Sequence, residues 1–393
     1  MSFEIINSDC FKAMQEMPDG CIDAIVTDPP YGLSFMGREW DSFDTDTRQP
    51  GDEHYLVAEN PYGRSKVRYG WNQDKSKLAK SMMAFQEAMT PIFAEAMRVA
   101  KPGAHLLCFG GTRTFHRMAC SIEDAGWEIR DTIMWVYGSG FPKSMDVGKA
   151  IDKALGAKRE SLGVKGKSGS KRNCMAGDFT GGEYMETEPA TDQARQWDGW
   201  GTCLKPAWEP IIVARKPLDG TVAHNVMTYG TGAINIDGCR VPTKEFIMTN
   251  GVSKEVQDRH SIYGSYGEKK TGQTAWQKLG RFPANLVHDG SQEVLELMGD
   301  AQRFFYCAKA SKKDRGEGND HPTVKPNALM RWLVRLVCPQ GGTVLDPFMG
   351  SGSTGVACIQ EGMRFVGIDM DEHYCEIAEK RIGAEPETVF AEV

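Results

Sequence analysis

Two consecutive prolines directly behind an apolar, β-branched run constrain this chain more than any other feature of its sequence. Ile22-Asp23-Ala24-Ile25-Val26, bounded by Gly20, reads as a buried strand, and Thr27-Asp28-Pro29-Pro30-Tyr31 follows it. Proline fixes φ and has no N–H, so regular structure stops at the pair and the carbonyls there are free to accept. A carboxylate, two prolines and an aromatic ring thus stand just past a strand's C-terminal end, the edge where open α/β sheets bind ligands. Asp28 adds a carboxylate acceptor, and Tyr31 adds a flat face for stacking. Acceptors beside a stacking ring suit a planar ring bearing an amino group, such as a nucleobase lifted out of its duplex. Taken alone, the same residues also serve as a plain strand end with a gap-filling tyrosine.

A second stretch adds weight. Val344-Leu345-Asp346-Pro347-Phe348-Met349-Gly350-Ser351-Gly352-Ser353-Thr354 has the pattern of a strand, a Gly-rich turn and a helix start. Its glycines let backbone approach a ligand, and the helix start offers unpaired N–H groups. Together the two stretches resemble the amino-group DNA methyltransferases that use S-adenosylmethionine. Asp28-Pro29-Pro30-Tyr31 matches that family's catalytic motif, and Asp346 to Thr354 matches its cofactor loop. The catalytic motif comes first and the cofactor loop last, the permuted order of the β group found in phages and bacterial restriction-modification systems.

The resemblance implies a Rossmann-like class I α/β fold: a mostly parallel seven-stranded sheet with helices on both faces, plus an irregular target-recognition insertion. It puts the catalytic half in residues 1–142, the recognition region in 143–318 and the cofactor half in 319–393. It also implies S-adenosylmethionine as cofactor and double-stranded DNA as partner, with a homodimer left open. Asp rather than Ser at the head of the motif implies adenine N6 as the methylated atom. Cytosine N4 is the alternative, and an RNA or protein N-methyltransferase, whose motifs usually run cofactor first, is the remoter one.

By the same resemblance Asp28, Pro29, Pro30 and Tyr31 are catalytic, and Tyr137 or a neighbour helps hold the extruded base. Asp9 and Cys10, after the strand Phe3–Ile6, fall near the cofactor's adenine, although Asp9 also suits a helix cap. His321-Pro322-Thr323-Val324-Lys325-Pro326 resembles the segment beside the cofactor's methionine end. There a helix N-terminus with the Thr323 hydroxyl and the Lys325 amine would suit a carboxylate, whereas His321 by itself reads as a surface histidine. Asp346, Phe348, Gly350, Ser351, Gly352, Ser353 and Thr354 make up the cofactor loop. Asp369, closing the strand from Arg364, is placed to accept hydrogen bonds from ribose hydroxyls, with Asp371 as the second candidate.

Elsewhere strands and helices alternate. The pattern predicts helices over Ser81–Ala100, stopped by Lys101-Pro102-Gly103, and over Thr112–Ala125, with strands over His105–Phe109 and Glu128–Tyr137. This alternation argues a mostly parallel sheet, to which Ala207–Arg215 looks like a returning strand. The segment from residue 32 to about residue 80 is long, aperiodic and rich in aromatics and bases, with Arg38, Lys66 and Arg68 as candidates for phosphate contact. From Lys143 to Asn173 the charge turns positive, and Gly and Ser interleave it. This reads as a flexible basic loop that finds a DNA backbone, with Lys143, Lys165, Lys167, Lys171 and Arg172 as candidates; a solvated linker is the plainer reading.

The net charge of −7 over 393 residues disfavours nucleic acid only on average, because binding follows local patches. Eleven cysteines without a C-x-x-C pair argue against a zinc site and against a disulfide framework, and reduced thiols fit a cytoplasmic protein. No apolar run reaches transmembrane length, and Met-Ser-Phe-Glu lacks a signal pattern. Gly350, Gly352 and Gly355 also spell the G-x-G-x-x-G of an NAD enzyme, but no second nucleotide half follows and the Asp28 motif would be unexplained. No cysteine near Asp28 offers the nucleophile of a cytosine-C5 methyltransferase.

Overall fold

A computed structural model of the chain describes residues 2–32, 77–138, 140, 144–167, 172–174, 177–179, 183–243, 280–308 and 312–386. They form two compact units, one of Met1–Tyr137 with Trp208–Val393 and one of Gly138–Ala207. The first unit opens with β1 (Phe3–Asn7), α1 (Cys10–Glu16), β2 (Ile22–Thr27), α2 (Lys77–Val99), β3 (Ala100–Phe109), α3 (Phe115–Asp124) and β4 (Glu128–Val136). The second unit holds α4 (Val147–Ala154), β5 (Ser161–Lys167), β6 (Arg172–Cys174), β7 (Gly177–Phe179), β8 (Glu183–Thr187) and α5 (Asp192–Gln196). The chain re-enters the first unit with β9 (Trp208–Arg215), α6 (Val222–Tyr229), β10 (Leu286–His288), α7 (Gln292–Met298) and β11 (Tyr306–Cys307). It closes with α8 (Asn327–Val337), β12 (Thr343–Asp346), α9 (Ser353–Gln360), β13 (Arg364–Asp369) and α10 (Glu372–Gly383). No helix among the described residues is long and apolar enough to cross a membrane.

Among the described residues the first unit holds one nine-stranded sheet, ordered β1-β13-β12-β2-β3-β9-β4-β10-β11. It is parallel except at β9, which runs antiparallel between β3 and β4. The first seven strands in that order are the expected sheet. The count of seven is extended because Leu286–His288 pairs onto Met134–Val136, and Tyr306-Cys307 pairs onto that in turn.

β2 lies inside the sheet between β12 and β3, and all six of its residues are buried. Its alternate side chains serve two cores. Ala24 and Val26 join Leu107, Phe109 and side chains of α8 and α9, while Ile25 joins Leu106, Cys108 and side chains of α1, α2 and α3. A strand covered on both faces reads as an unbroken apolar run, which is why the sequence signal here is strong. The one charge inside it, Asp23, accepts from Lys101 Nζ at 2.6 Å and from the Thr343 N–H at 2.8 Å.

Three expectations change. Lys101-Pro102-Gly103 does end α2, but it does not separate α2 from the next strand. β3 starts at Ala100, and the ladder to β2 jumps from Ile22↔Ala100 to Ala24↔His105, so these residues bulge out of the register. Residues 143–173 are not a flexible basic loop where they are described. α4 is followed by β5, and Asp152 of α4 is buried and accepts from Arg159 Nε, the Ala190 N–H, and both the N–H and the hydroxyl of Thr191. Burial alone would raise that carboxyl, but these hydrogen bonds outweigh it and hold it at about 2. Finally, the region expected for recognition, 143–318, gives the main sheet not only the expected returning strand near 207–215 but β10 and β11 as well. Residues up to Ala207 form the second unit, and later ones supply strands to the main sheet.

Candidate active site

β2 and β12 are neighbours, with Val344 opposite Ala24 and Leu345 opposite Ile25. Because the pair is parallel, both Asp-Pro corners leave the same edge of the sheet side by side. A short chain of hydrogen bonds ties them together. The Thr27 hydroxyl donates to Asp346 Oδ1 at 2.7 Å, the Thr354 hydroxyl to Oδ2 at 2.6 Å, and the Phe348 N–H to Oδ1 at 3.1 Å. Asp346 is 2% exposed. Burial lifts its carboxyl to about 6, against the hydrogen bonds that favour its charge. Expected among the cofactor-binding residues, Asp346 instead has its carboxylate turned into the protein, bracing the first corner to the second.

The rest of the glycine loop is built for close packing. Gly350 and Gly352 have φ of +52° and +80°. A Cβ added at Gly350 would lie 2.7 Å from His321 Nε2, and one at Gly352 would lie 2.9 Å from the Ala378 Cβ. Asp369 Oδ2 accepts the Gly350 N–H at 2.9 Å, and Oδ1 accepts the Asp371 N–H at 2.9 Å, so Asp369 orients the loop. Ser351 is buried, and its hydroxyl takes hydrogen bonds from Asn319 Nδ2 and Arg381 Nη1, each at 3.0 Å. Ser353 opens α9, whose Thr354 is the buried brace to Asp346. Phe348 is half-buried against the core under α1.

β1 pairs with β13, setting Asn7 opposite Asp369, so Asp9 and Asp369 follow neighbouring strands at the same sheet edge. Asp9 caps α1, its Oδ1 accepting from the Lys12 N–H at 3.0 Å. Cys10 beside it is buried, which pushes its thiol up to about 12. His321 is not a surface histidine. Its ring meets Tyr374 edge-on at 4.6 Å, and Nδ1 accepts the Thr323 N–H at 3.3 Å. Burial lowers its pKa to about 4, so the imidazole against Gly350 is neutral near pH 7. Thr323 itself is exposed.

The other corner carries charge. Asp28 Oδ1 accepts from the Tyr31 hydroxyl at 2.8 Å, and Oδ2 accepts from Lys325 Nζ at 2.6 Å. Pro29, between them in sequence, is buried and Pro30 is half-buried. Lys325 is 8% exposed and sits 4.7 Å from the Phe109 ring centroid and 5.7 Å from that of Tyr31. Burial opposes its charge, but Asp28 and then Glu209 outweigh that and hold its pKa above the ordinary lysine value. Lys325 is therefore not a free amine for a cofactor carboxylate, as its place in the sequence suggested; it belongs to the Asp28 cluster. Burial, reinforced by Asp28 and Glu209, keeps the Tyr31 phenol protonated. Tyr137 is half-buried and 5.1 Å from Trp135; burial and then Glu209 hold its phenol up to about 12.

Glu209 is the residue the motifs missed. Its Oε2 lies 3.4 Å from both Lys325 Nζ and the Tyr31 hydroxyl. The available signal was a carboxylate standing before a proline in the strand Trp208–Arg215, whose only other charge is its last residue. Of the DNA-contact candidates, Arg38, Lys66, Arg68, Lys143 and Lys171 lie outside the described residues. Lys165 and Lys167 lie on β5 and Arg172 on β6, all in the second unit.

The family model for DNA methylases of the N6 and N4 type matches residues 22–380. The type II methyltransferase M.HindIII of Haemophilus influenzae is 23% identical over 392 residues, covering 98% of this chain and 97% of its own. M2.DpnII of Streptococcus pneumoniae, another type II methyltransferase, is 39% identical over 167 residues, covering 42% of this chain and 59% of its own. Among solved structures, the M1.HpyAVI–SAM complex is 16% identical with a TM-score of 0.42, covering 97% of this chain and 98% of that one.

Proposed function

This chain belongs to the DNA methylase family, and from that premise we propose that it methylates the exocyclic N6 of an adenine turned out of double-stranded DNA, with S-adenosylmethionine as methyl donor. The observation that supports this reading is the juxtaposition of Asp28 and the glycine loop on adjacent parallel strands, joined by Thr27, Asp346 and Thr354.

The loop fits such a donor. Left-handed glycines bring bare backbone to the sheet edge, and the carboxylates of Asp369 and Asp9 keep lone pairs for an adenosine's hydroxyls and amine. When bound, S-adenosylmethionine supplies an electrophilic methyl group on a cationic sulfur. The protein's own task is then to make a poor nucleophile a better one. An aromatic amine delocalises its lone pair into the ring. Asp28 and the Pro29 carbonyl, accepting its two hydrogens, favour the pyramidal nitrogen that the transition state needs. Tyr31, its hydroxyl anchored on Asp28, offers a ring for stacking, an interaction of about 1–3 kcal/mol per base at comparable sites. The Asp28 carboxylate also favours the positive charge that develops on the attacking nitrogen.

Adenine rather than cytosine rests on Asp at the head of the motif. The test is to incubate the purified chain with duplex DNA and labelled S-adenosylmethionine, then digest the DNA and separate the nucleosides. Label in N6-methyladenine is the expected result. Label in N4-methylcytosine would replace the base assignment, and unlabelled DNA would end the reading.

A further inference from the structure

Both oxygens of the Asp28 carboxylate are already occupied. Tyr31 donates to Oδ1, and Lys325 Nζ lies at 2.6 Å on Oδ2, where it competes with the amine of a target base. An internal amine thus stands in for the amine of the target base. Each carboxylate oxygen has a second lone pair, but an ammonium at 2.6 Å opposes the positive charge that develops on the attacking nitrogen, so Lys325 has to yield Oδ2, and it cannot simply be abandoned. Lys325 is 8% exposed; apart from Asp28 and Glu209 it meets the faces of the Phe109 and Tyr31 rings and the Tyr31 hydroxyl at 3.3 Å, and none of these carries a charge to balance its own. An uncompensated buried charge is strongly unfavourable. One other carboxylate is within reach: Glu209 Oε2, 3.4 Å from the same Nζ. A shift of roughly half an ångström along the lysine stem would convert that approach into a full charge-assisted hydrogen bond.

We propose that Glu209 is the residue that receives the Lys325 ammonium when the target base takes Asp28. This inference rests on the methyltransferase reading of the site and gives it a further positioning residue. Lys325 on Asp28 closes the acceptor to adventitious amines and water while the pocket is empty. Glu209 makes the exchange nearly neutral in energy, because one carboxylate replaces another around the same cation. Glu209 is held for this task by β9, the one antiparallel strand between β3 and β4, where it sits opposite Trp135. Its place on the inserted strand explains why neither motif contains it.

The test is steady-state methylation of duplex DNA by the intact chain, with cofactor affinity measured separately by titration. Glu209→Gln is expected to lower kcat by about ten- to a hundredfold, with little change in the KM for DNA or in cofactor affinity, because only entry of the base into the corner is impeded. Glu209→Asp, which keeps the charge on a shorter stem, should recover part of the loss. The double variant Glu209→Gln with Lys325→Gln should turn over no more slowly than Lys325→Gln alone, since without the lysine Glu209 has nothing to receive. A melting curve on each variant confirms that it folds, and Glu209→Asp carries the test if Glu209→Gln does not. A wild-type kcat in Glu209→Gln, or a double variant whose losses multiply, would overturn the proposal. Absence of methylation by the unsubstituted chain would instead overturn the reading on which it rests.

Discussion

The molecule contains two Asp-Pro corners at the ends of adjacent parallel strands, and they have opposite fates. Asp28 follows β2 and keeps a side chain 19% exposed, held from its two sides by a phenol and an ammonium. Asp346 ends β12, is 2% exposed, and takes two hydroxyls and an N–H from within the protein. Each is an aspartate before a proline at the same edge of the sheet, but the partners differ. A carboxylate ringed by fixed donors of its own fold is a brace. A carboxylate whose cationic partner has a second acceptor nearby can be vacated and used.

Substitution should separate the two roles. Asp28→Ala is expected to cut methyl transfer by at least about a hundredfold while the melting temperature stays near that of the parent, as read by a label-transfer assay and a thermal scan. Substantial activity in this variant would erase the contrast. Asp346→Ala should do the reverse first, lowering the unfolding free energy by roughly 2–4 kcal/mol because three buried donors lose their acceptor, measured by denaturant titration.

Acidity sharpens the contrast further. The folded pKa of Asp346, about 6, lies above its ordinary value of 3.8. A raised carboxyl contributes stability that is fully present below the ordinary value and is lost as pH rises through the folded one. Parent minus Asp346→Asn stability should therefore grow by up to about 2 kcal/mol as pH falls from above 6 to 4. A flat difference would mean that the brace carries no buried charge.

Smaller effects are expected at the edges of the brace. Gly350→Ala places a Cβ against His321 in a left-handed backbone, at a cost of roughly 1–2 kcal/mol. It should weaken cofactor binding about tenfold in a calorimetric titration, with the Asp28 cluster untouched. Thr27→Val removes one donor to Asp346 and should cost about 1 kcal/mol of stability, read from the denaturation midpoint.

Much of this was legible in the chain. The run Ile22–Thr27 announces a strand buried on both faces, the prolines end it, and the left-handed Gly350 and Gly352 mark a turn only glycine tolerates comfortably. These are local statements, set by side-chain periodicity and backbone sterics within a few residues. Lys325 was legible as a candidate but not by partner, and Glu209 left only the faint signal of a carboxylate before a proline in its strand. The basic stretch after Lys143 misled because its composition resembles a loop, while its order depends on Asp152 finding Arg159 and Thr191.

The sequence by itself therefore determined the two corners, the turn chemistry at each and the order in which they occur. Only the tertiary structure decided that β12 lies beside β2, that one aspartate turns inward and the other outward, and that a glutamate on an inserted strand comes within 3.4 Å of the lysine. The reason is physical. Propensity and periodicity act between neighbours along the chain, whereas a buried charge is defined by whatever groups folding brings to it, and Asp28 and Lys325 are separated by 297 positions.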